Sequence, residues 1–275
     1  MQRLQEIYKH YDFKFTDQSI AAEVRQIIEE HYAENDTAEV RKKCISLIDL
    51  TSLSSADNRA SIEALVKRAN ALSEPVAAIC TWPSLVETAR QTLTNTATRI
   101  ASVCGGFPSS QTFMEVKIAE VSLAVAAGAD EVDVVISLGK FLEENHSEVF
   151  DELNEIRAAA RDAKLKVILE TGSLNAVQIK QAALMAMAAG ADFIKTSTGK
   201  TDRSATLEAV CVMCHAIKEF YALSGEKVGI KPSGGISTAE DAVRYYTLVR
   251  EILGDEWLTP ELFRFGATRL LDSLL

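Results

Sequence analysis

No stretch of the 275 residues reaches the ~18 consecutive apolar positions that a membrane-crossing helix needs. The opening, MQRLQEIYKH, has no apolar core for a signal peptide. A cytoplasmic protein without a membrane partner is therefore expected. Basic residues are the minority, 29 Lys and Arg against 39 Asp and Glu, for a formal charge of −10. That balance disfavours a general nucleic-acid or acidic-membrane surface, so any phosphate must be held by a local, built site. Five cysteines are an odd count, and without an export signal they point to reduced thiols rather than a disulfide framework. At 47% hydrophobic and 25% charged residues, the composition is that of a packed domain rather than a disordered chain.

Residues 1–43 contain no glycine and many charges. A stripe of Ile20, Val24, Ile27, Ile28 and His31 follows a cap candidate at Thr16 or Asp17, which predicts an N-terminal helical extension. From Cys44 onward, short runs rich in Val and Ile alternate with Ala-rich segments of helical period, the pattern of βα units around a parallel sheet. Eight strands are predicted, at 44–51, 76–82, 99–105, 131–137, 166–171, 193–197, 228–232 and 263–267. Helices are predicted at 114–127, 147–163, 176–189 and 205–223, with Gly128 and Gly190 as stop signals. Length and spacing suit one closed (β/α)8 TIM barrel over 44–275 as the catalytic domain, in the α/β class.

In such a barrel both strand faces are buried, so a charge within a strand needs a reason. In EVDVVIS, Val132, Val134 and Ile136 form a face for the helices and leave Glu131 and Asp133 pointing inward. The same parity turns Asp49, Lys166 with Glu170, Lys195 and Lys231 inward near strand C-termini. Three lysines and several carboxylates are thus expected at one barrel mouth, where active sites of this fold lie.

A lysine attacks a carbonyl carbon only as the neutral amine, which at pH 7 and an ordinary pKa is about 1 molecule in 2,500. A neighbouring ammonium and partial desolvation raise that fraction. Lys195 and Lys231 fall on adjacent strands, and Asp133 can move protons between them and a substrate. Burying these charges without chemistry would be costly. For an anion, KPSGGIST places Gly234 and Gly235 before a helix that Thr238 can start, TSTGK supplies Thr198, Gly199 and Lys200, and FGATR supplies Gly266, Thr268 and Arg269.

The strings LIDLT, AAICTWP, ASVCGGFPSSQT, GADEVDVV, DFIKTSTGK, VGIKPSGGIST and FRFGAT, in this order, closely resemble deoxyribose-phosphate aldolases, class I aldolases of the (β/α)8 fold. The resemblance covers about residues 44–275. It implies that Lys195 forms the Schiff base, that Lys231 perturbs it, and that Asp133 gives and takes protons. It also implies that Asp49, Thr51 and Cys80 are substrate-side positions, and that Gly199, Lys200, Gly234, Gly235, Gly266 and Thr268 hold the phosphate. The implied reaction is reversible cleavage of 2-deoxy-D-ribose 5-phosphate into D-glyceraldehyde 3-phosphate and acetaldehyde, with no cofactor and, by resemblance, a homodimer. Many members carry two serines where this chain has Thr268 and Arg269. Some end in a tyrosine tail that reaches the site, whereas this chain stops at Leu275, so no relay through such a tail is expected.

The string Cys211-Val-Met-Cys214-His215 matches a haem-attachment pattern, but it falls within a helical stripe of Leu207, Val210, Cys214, Ile217 and Tyr221. Haem is not expected. No metal is expected either, because the four histidines, His10, His31, His146 and His215, avoid the strand C-termini where a metal-dependent aldolase needs them. Met185 and Met187 are expected to fill core. Two rival readings remain at this point: a Schiff-base aldolase or lyase acting on a different phosphorylated carbonyl, and a catalytically silent sugar-phosphate-binding barrel.

Overall fold

A computed structural model describes residues 6–275; the first five residues of the predicted extension lie outside the described residues. Among the described residues, a short helical stretch at 6–8 is followed by two longer helices before the first strand, α1 (Asp17–Asn35) and α2 (Ala38–Ser46). Thr16 caps α1: its hydroxyl accepts from the Ser19 N–H while the Ser19 hydroxyl serves the Thr16 N–H, so both orphan donors are satisfied. Ile20 and Val24 are buried where α1 packs on the barrel helices.

The barrel then runs β1 (Ile48–Thr51), α3 (Arg59–Asn70), β2 (Ala78–Thr81), α4 (Val86–Thr92), β3 (Arg99–Cys104) and α5 (Met114–Ala126). It continues with β4 (Glu131–Val135), α6 (Leu138–Leu142), α7 (His146–Ala160), β5 (Lys164–Ile168), α8 (Ala176–Ala188) and β6 (Phe193–Lys195). It ends with α9 (Leu207–Ser224), β7 (Gly229–Lys231), α10 (Ala239–Leu253), β8 (Phe265–Ala267) and α11 (Leu270–Leu274). Neighbouring strands are parallel in the order β7-β6-β5-β4-β3-β2-β1-β8. The seam between β7 and β8 closes through bridges Ile230 to Phe263 and Ser233 to Gly266. Pro232 lies between those bridges and has no N–H to donate, which breaks the ladder there without opening the barrel. All eight predicted strands are present.

Most boundaries shift by one to three residues, and two of the shifts have a clear physical cause. The run predicted as a strand from Cys44 is helical through Ser46, because Thr37 starts a helix whose period also buries Cys44 and Ile45; a short apolar run fits both periods. The strand predicted at 166–171 ends at Ile168, because Glu170 takes a left-handed φ of 57° and Thr171 opens a short 3-10 turn. Gly128 and Gly190 end their helices at φ 106° and 84°, conformations open to glycine.

Strand parity holds. Ile48, Leu50, Val132, Val134, Leu165, Val167, Ile194 and Ile230 are buried and pack against the helices. The interior is divided. Ala78, Cys80, Ala101 and Val103 of β2 and β3 form a separate apolar cluster with Leu53, Trp82 and Phe107 at its edge, while the rest of the lumen carries charge. Gly229 makes room for the Phe193 ring, whose carbons lie 2.4 Å from where a Cβ would stand, and that ring floors the barrel under Lys166 and Arg264.

Candidate active site

The inward charges form one buried network. Lys195 and Lys231 face each other in the β6–β7 register, and both donate to the same oxygen, Asp133 Oδ2, each at 2.7 Å. Lys231 also pairs with Asp49 Oδ2 at 2.5 Å. Lys166 donates to Asp133 Oδ1 and to Asp49 Oδ2, both at 3.1 Å, and pairs with Glu131 at 2.5 Å. Arg264 completes the set, with Asp49 Oδ1 at 2.6 Å and Glu131 at 2.8 Å. The expectation that three lysines share the mouth needs correction. Lys195 lines the mouth cavity, whereas Lys166 is fully buried beneath it and pairs with the floor carboxylate Glu131. Parity fixes the face a residue points to, but not its height.

Four cations, Lys166, Lys195, Lys231 and Arg264, meet three carboxylates, Asp49, Glu131 and Asp133. One cation is in excess, and the cheapest correction in a low-dielectric lumen is loss of one proton. The site selects Lys195: burial pushes its pKa down, the Asp133 carboxylate opposes this, and Lys231 pushes it down further. Lys231 goes the other way, since Asp133 and Asp49 together outweigh its burial. Against burial, Lys166, Lys195 and Lys231 hold Asp133 well below the usual carboxylate range. The arrangement thus pairs a deprotonatable amine with a fixed ammonium and a fixed carboxylate.

Above the network is a cavity of about 390 Å³ lined by Lys195 and by the loops after β1, β6, β7 and β8. It brings together Thr51, Thr198, Gly199, Lys200, Gly234, Gly235, Gly266, Thr268 and Arg269. Gly234 and Gly235 have φ of 86° and 82° and Gly199 has 73°, and a Cβ on Gly234 would fall 2.5 Å from the Ser204 side chain. As the sequence predicted, Thr238 caps α10, in a box with Asp241. The Thr268 hydroxyl donates to the Thr51 carbonyl at 2.9 Å and the Lys200 ammonium to the Leu53 carbonyl at 2.5 Å, so two of the loops are tied to the loop after β1. Asp49 and Cys80 do not line this cavity. Asp49 lies in the ion network, and Cys80 faces the apolar half of the lumen, where burial pushes its thiol up although Lys231 draws it down.

Three residues escaped the sequence reading or gained a contact it did not foresee. Arg264 shares the inward parity of Gly266 in FRFGA, a signal that was available. Ser233 shares the parity of Lys231; it lines the cavity, is 4% exposed, and its hydroxyl has no hydrogen-bond partner among the described residues. Glu170, predicted to face inward, is buried with no cation paired to it among the described residues, and it accepts from the Thr198 hydroxyl at 2.6 Å and the Thr198 N–H at 3.3 Å. The Thr198 hydroxyl in turn receives the Lys200 N–H at 3.1 Å. The left-handed backbone of Glu170 is strain of a kind that is kept where it positions a functional loop. Met185 and Met187 are in the core. Among the described residues, the groups of three side chains able to ligate a metal lie away from the mouth, at Glu23, Cys211 and His215 and at His31, Glu34 and Glu251.

The family model described as DeoC/LacD family aldolase matches residues 43–248. The chain is 41% identical over 249 residues to a Homo sapiens protein named deoxyribose-phosphate aldolase, covering 84% of this chain and 78% of that one. It is 44% identical over 234 residues to one of the same name from Agrobacterium fabrum, covering 84% and 88%. Among solved structures, the tetrameric deoxyribose phosphate aldolase from Aeropyrum pernix is similar, with a TM-score of 0.70 at 25% identity, covering 91% of this chain and 96% of that chain.

Proposed function

The chain belongs to the DeoC/LacD family of aldolases, and we propose how its own residues carry out the reversible cleavage of 2-deoxy-D-ribose 5-phosphate to D-glyceraldehyde 3-phosphate and acetaldehyde. One observation carries the reading: two lysines from adjacent strands share one carboxylate oxygen directly under a glycine-lined cavity.

The neutral Lys195 amine attacks the aldehyde carbon of the open-chain sugar, and the carbinolamine loses water to give a protonated imine. Lys231 and Asp133 supply and accept the protons of these steps. The imine draws electrons as the C2–C3 bond breaks, the C3 hydroxyl proton passes to the Asp133 side of the network, and glyceraldehyde 3-phosphate leaves. The enamine takes a proton at C2, and water releases acetaldehyde and regenerates the amine. The two-carbon fragment, which becomes the Lys195 imine, lies at the end of the cavity where Lys195 enters it. The phosphate fits the other end of the cavity, against the backbone of Gly199, Gly234, Gly235 and Gly266, with Lys200 and the Thr268 hydroxyl alongside. Thr51 and Thr198 stand between the two ends, where they can meet the substrate hydroxyls. Asp49 acts from below by fixing Lys231.

Borohydride added with deoxyribose phosphate tests the assignment, because it reduces the imine to a stable secondary amine. Peptide mapping is expected to find the adduct on Lys195 and activity to be lost; an adduct on Lys231 or Lys200 would reverse the roles. Release of aldehyde from deoxyribose phosphate, followed with a coupled dehydrogenase, tests the substrate.

Among the described residues no helix is long and apolar enough to cross a membrane. The five cysteines are free and buried, which supports a cytoplasmic location, to be checked by fractionation. A homodimer is proposed through α5 and the residue before it, where Phe113, Val116 and Leu123 are exposed. Light scattering that gave a monomer would remove it. The described part of residues 1–43 is read as a helical extension on the flank of a catalytic barrel over 44–275.

A further inference from the structure

We propose that Glu23 of α1 with Cys211 and His215 of α9 forms a site for a thiophilic divalent cation, Zn2+ in the first instance, which staples the N-terminal helix to the barrel. Cys211 and His215 are four residues apart on one helix face, the spacing at which two helical side chains can reach one ion. Glu23 arrives from a segment far away in sequence, its carboxylate 2.7 Å from His215 Nε2. The three ligand atoms all lie within 4.8 Å of one another. A tetrahedral zinc centre with ordinary bond lengths holds such atoms roughly 3.3–3.6 Å apart, so the Glu23–His215 pair opens by a fraction of an ångström and the thiol closes in.

The donor set is sulfur, imidazole and carboxylate, which favours zinc over calcium or magnesium. Cys211 forms the buried end of the site, while the side chains of Glu23 and His215 are 41% and 38% exposed. A cavity of about 200 Å³ borders both Glu23 and His215 and gives room for a water as fourth ligand. The lysine beside it, Lys180, is already paired with Glu219 at 2.7 Å. On binding, the S–H bond gives way to a sulfur–metal bond and the proton leaves to solvent. Cys214, the other cysteine of the haem-like string, is fully buried in the core and takes no part.

The test is titration of Co2+, a zinc substitute with visible spectra, into the full chain after dialysis against a chelator. One ion per chain is expected, with a thiolate-to-metal charge-transfer band that is lost in Cys211→Ser and kept in Cys214→Ala. Glu23→Gln and His215→Gln alter partly exposed side chains, and each is expected to weaken binding by roughly tenfold or more. Zn2+ should raise the Tm of the parent protein and not that of His215→Gln, while aldolase turnover is the same with metal or chelator. Absence of the band, its survival in Cys211→Ser, or unchanged affinity in both glutamine variants would overturn the site.

Discussion

Replacing Lys231 with glutamine should make the Lys195 amine harder to deprotonate. In the parent site the two nitrogens share Asp133 Oδ2 at 2.7 Å each, which keeps them within about 5.4 Å of one another. At that separation and an effective dielectric of about 20, two unit charges repel by roughly 3 kcal/mol. Lys231 bears its charge firmly, so the repulsion acts wholly on the proton of Lys195. Glutamine keeps most of the volume and can still donate to Asp133, but it removes the charge. The network is then left with Lys166, Lys195 and Arg264 against three carboxylates, and a protonated Lys195 balances it. The acid limb of imine formation therefore moves to higher pH, by roughly two pH units. Burial, the largest influence on Lys195, is unchanged in this variant; Lys231→Leu dries the site and should move the limb less. Turnover is a poor readout because Lys231 also moves protons, so borohydride trapping of Lys195 against pH in a single turnover is the assay. An acid limb unchanged in both variants would show that burial and Asp133 alone set the reactivity of Lys195.

Arg264→Met removes the cation facing the buried Asp49 and Glu131; losing one partner of a buried ion pair costs roughly 3–5 kcal/mol, or a fall in Tm of roughly 6–20 °C by calorimetry, and a change under about 2 °C would contradict the network. Arg269 lines the cavity, and a charge-assisted contact is worth roughly 1.5–3 kcal/mol, so Arg269→Ser should weaken the phosphorylated aldehyde selectively; equal effects on phosphorylated and unphosphorylated aldehydes would remove it from the site. Glu170→Gln loosens the Thr198 loop, and KM for the phosphorylated substrate should rise about tenfold, near 1.4 kcal/mol, with kcat little changed; an equal rise for the unphosphorylated aldehyde would place the defect elsewhere. Asp49 and Asp133 are held low in the folded protein, so the stability they contribute is complete above their unfolded pKa of ~3.9 and is lost as pH falls toward the folded values. Denaturant unfolding should therefore show that loss below about pH 4, and a loss from these carboxylates already complete at pH 5 would contradict it.

The sequence by itself determined the barrel, the inward set and the glycine loops, because each of these is a local signal. Alternation in EVDVVIS assigns Glu131 and Asp133 to the lumen whatever lies opposite, and Gly234 and Gly235 announce a turn that needs positive φ. The lysine pair was legible because β6 and β7 are neighbours in sequence and parallel neighbours pair in simple register. Where one apolar run suited two periods, at Cys44 to Ser46, the sequence could not choose, and packing of the preceding helix decided. Height within the lumen was also out of reach: strands tilt as the barrel closes, so Lys166, midway along β5, and Lys195, the last residue of β6, both inward, separate into a buried layer and a cavity wall. Tertiary structure alone brought Arg264 of the last turn of the barrel onto Glu131 of β4, set Glu170 under the Thr198 loop, and laid Glu23 beside His215. These contacts join segments that share no local pattern, and their partners are chosen by barrel closure and by the cost of leaving a buried charge alone.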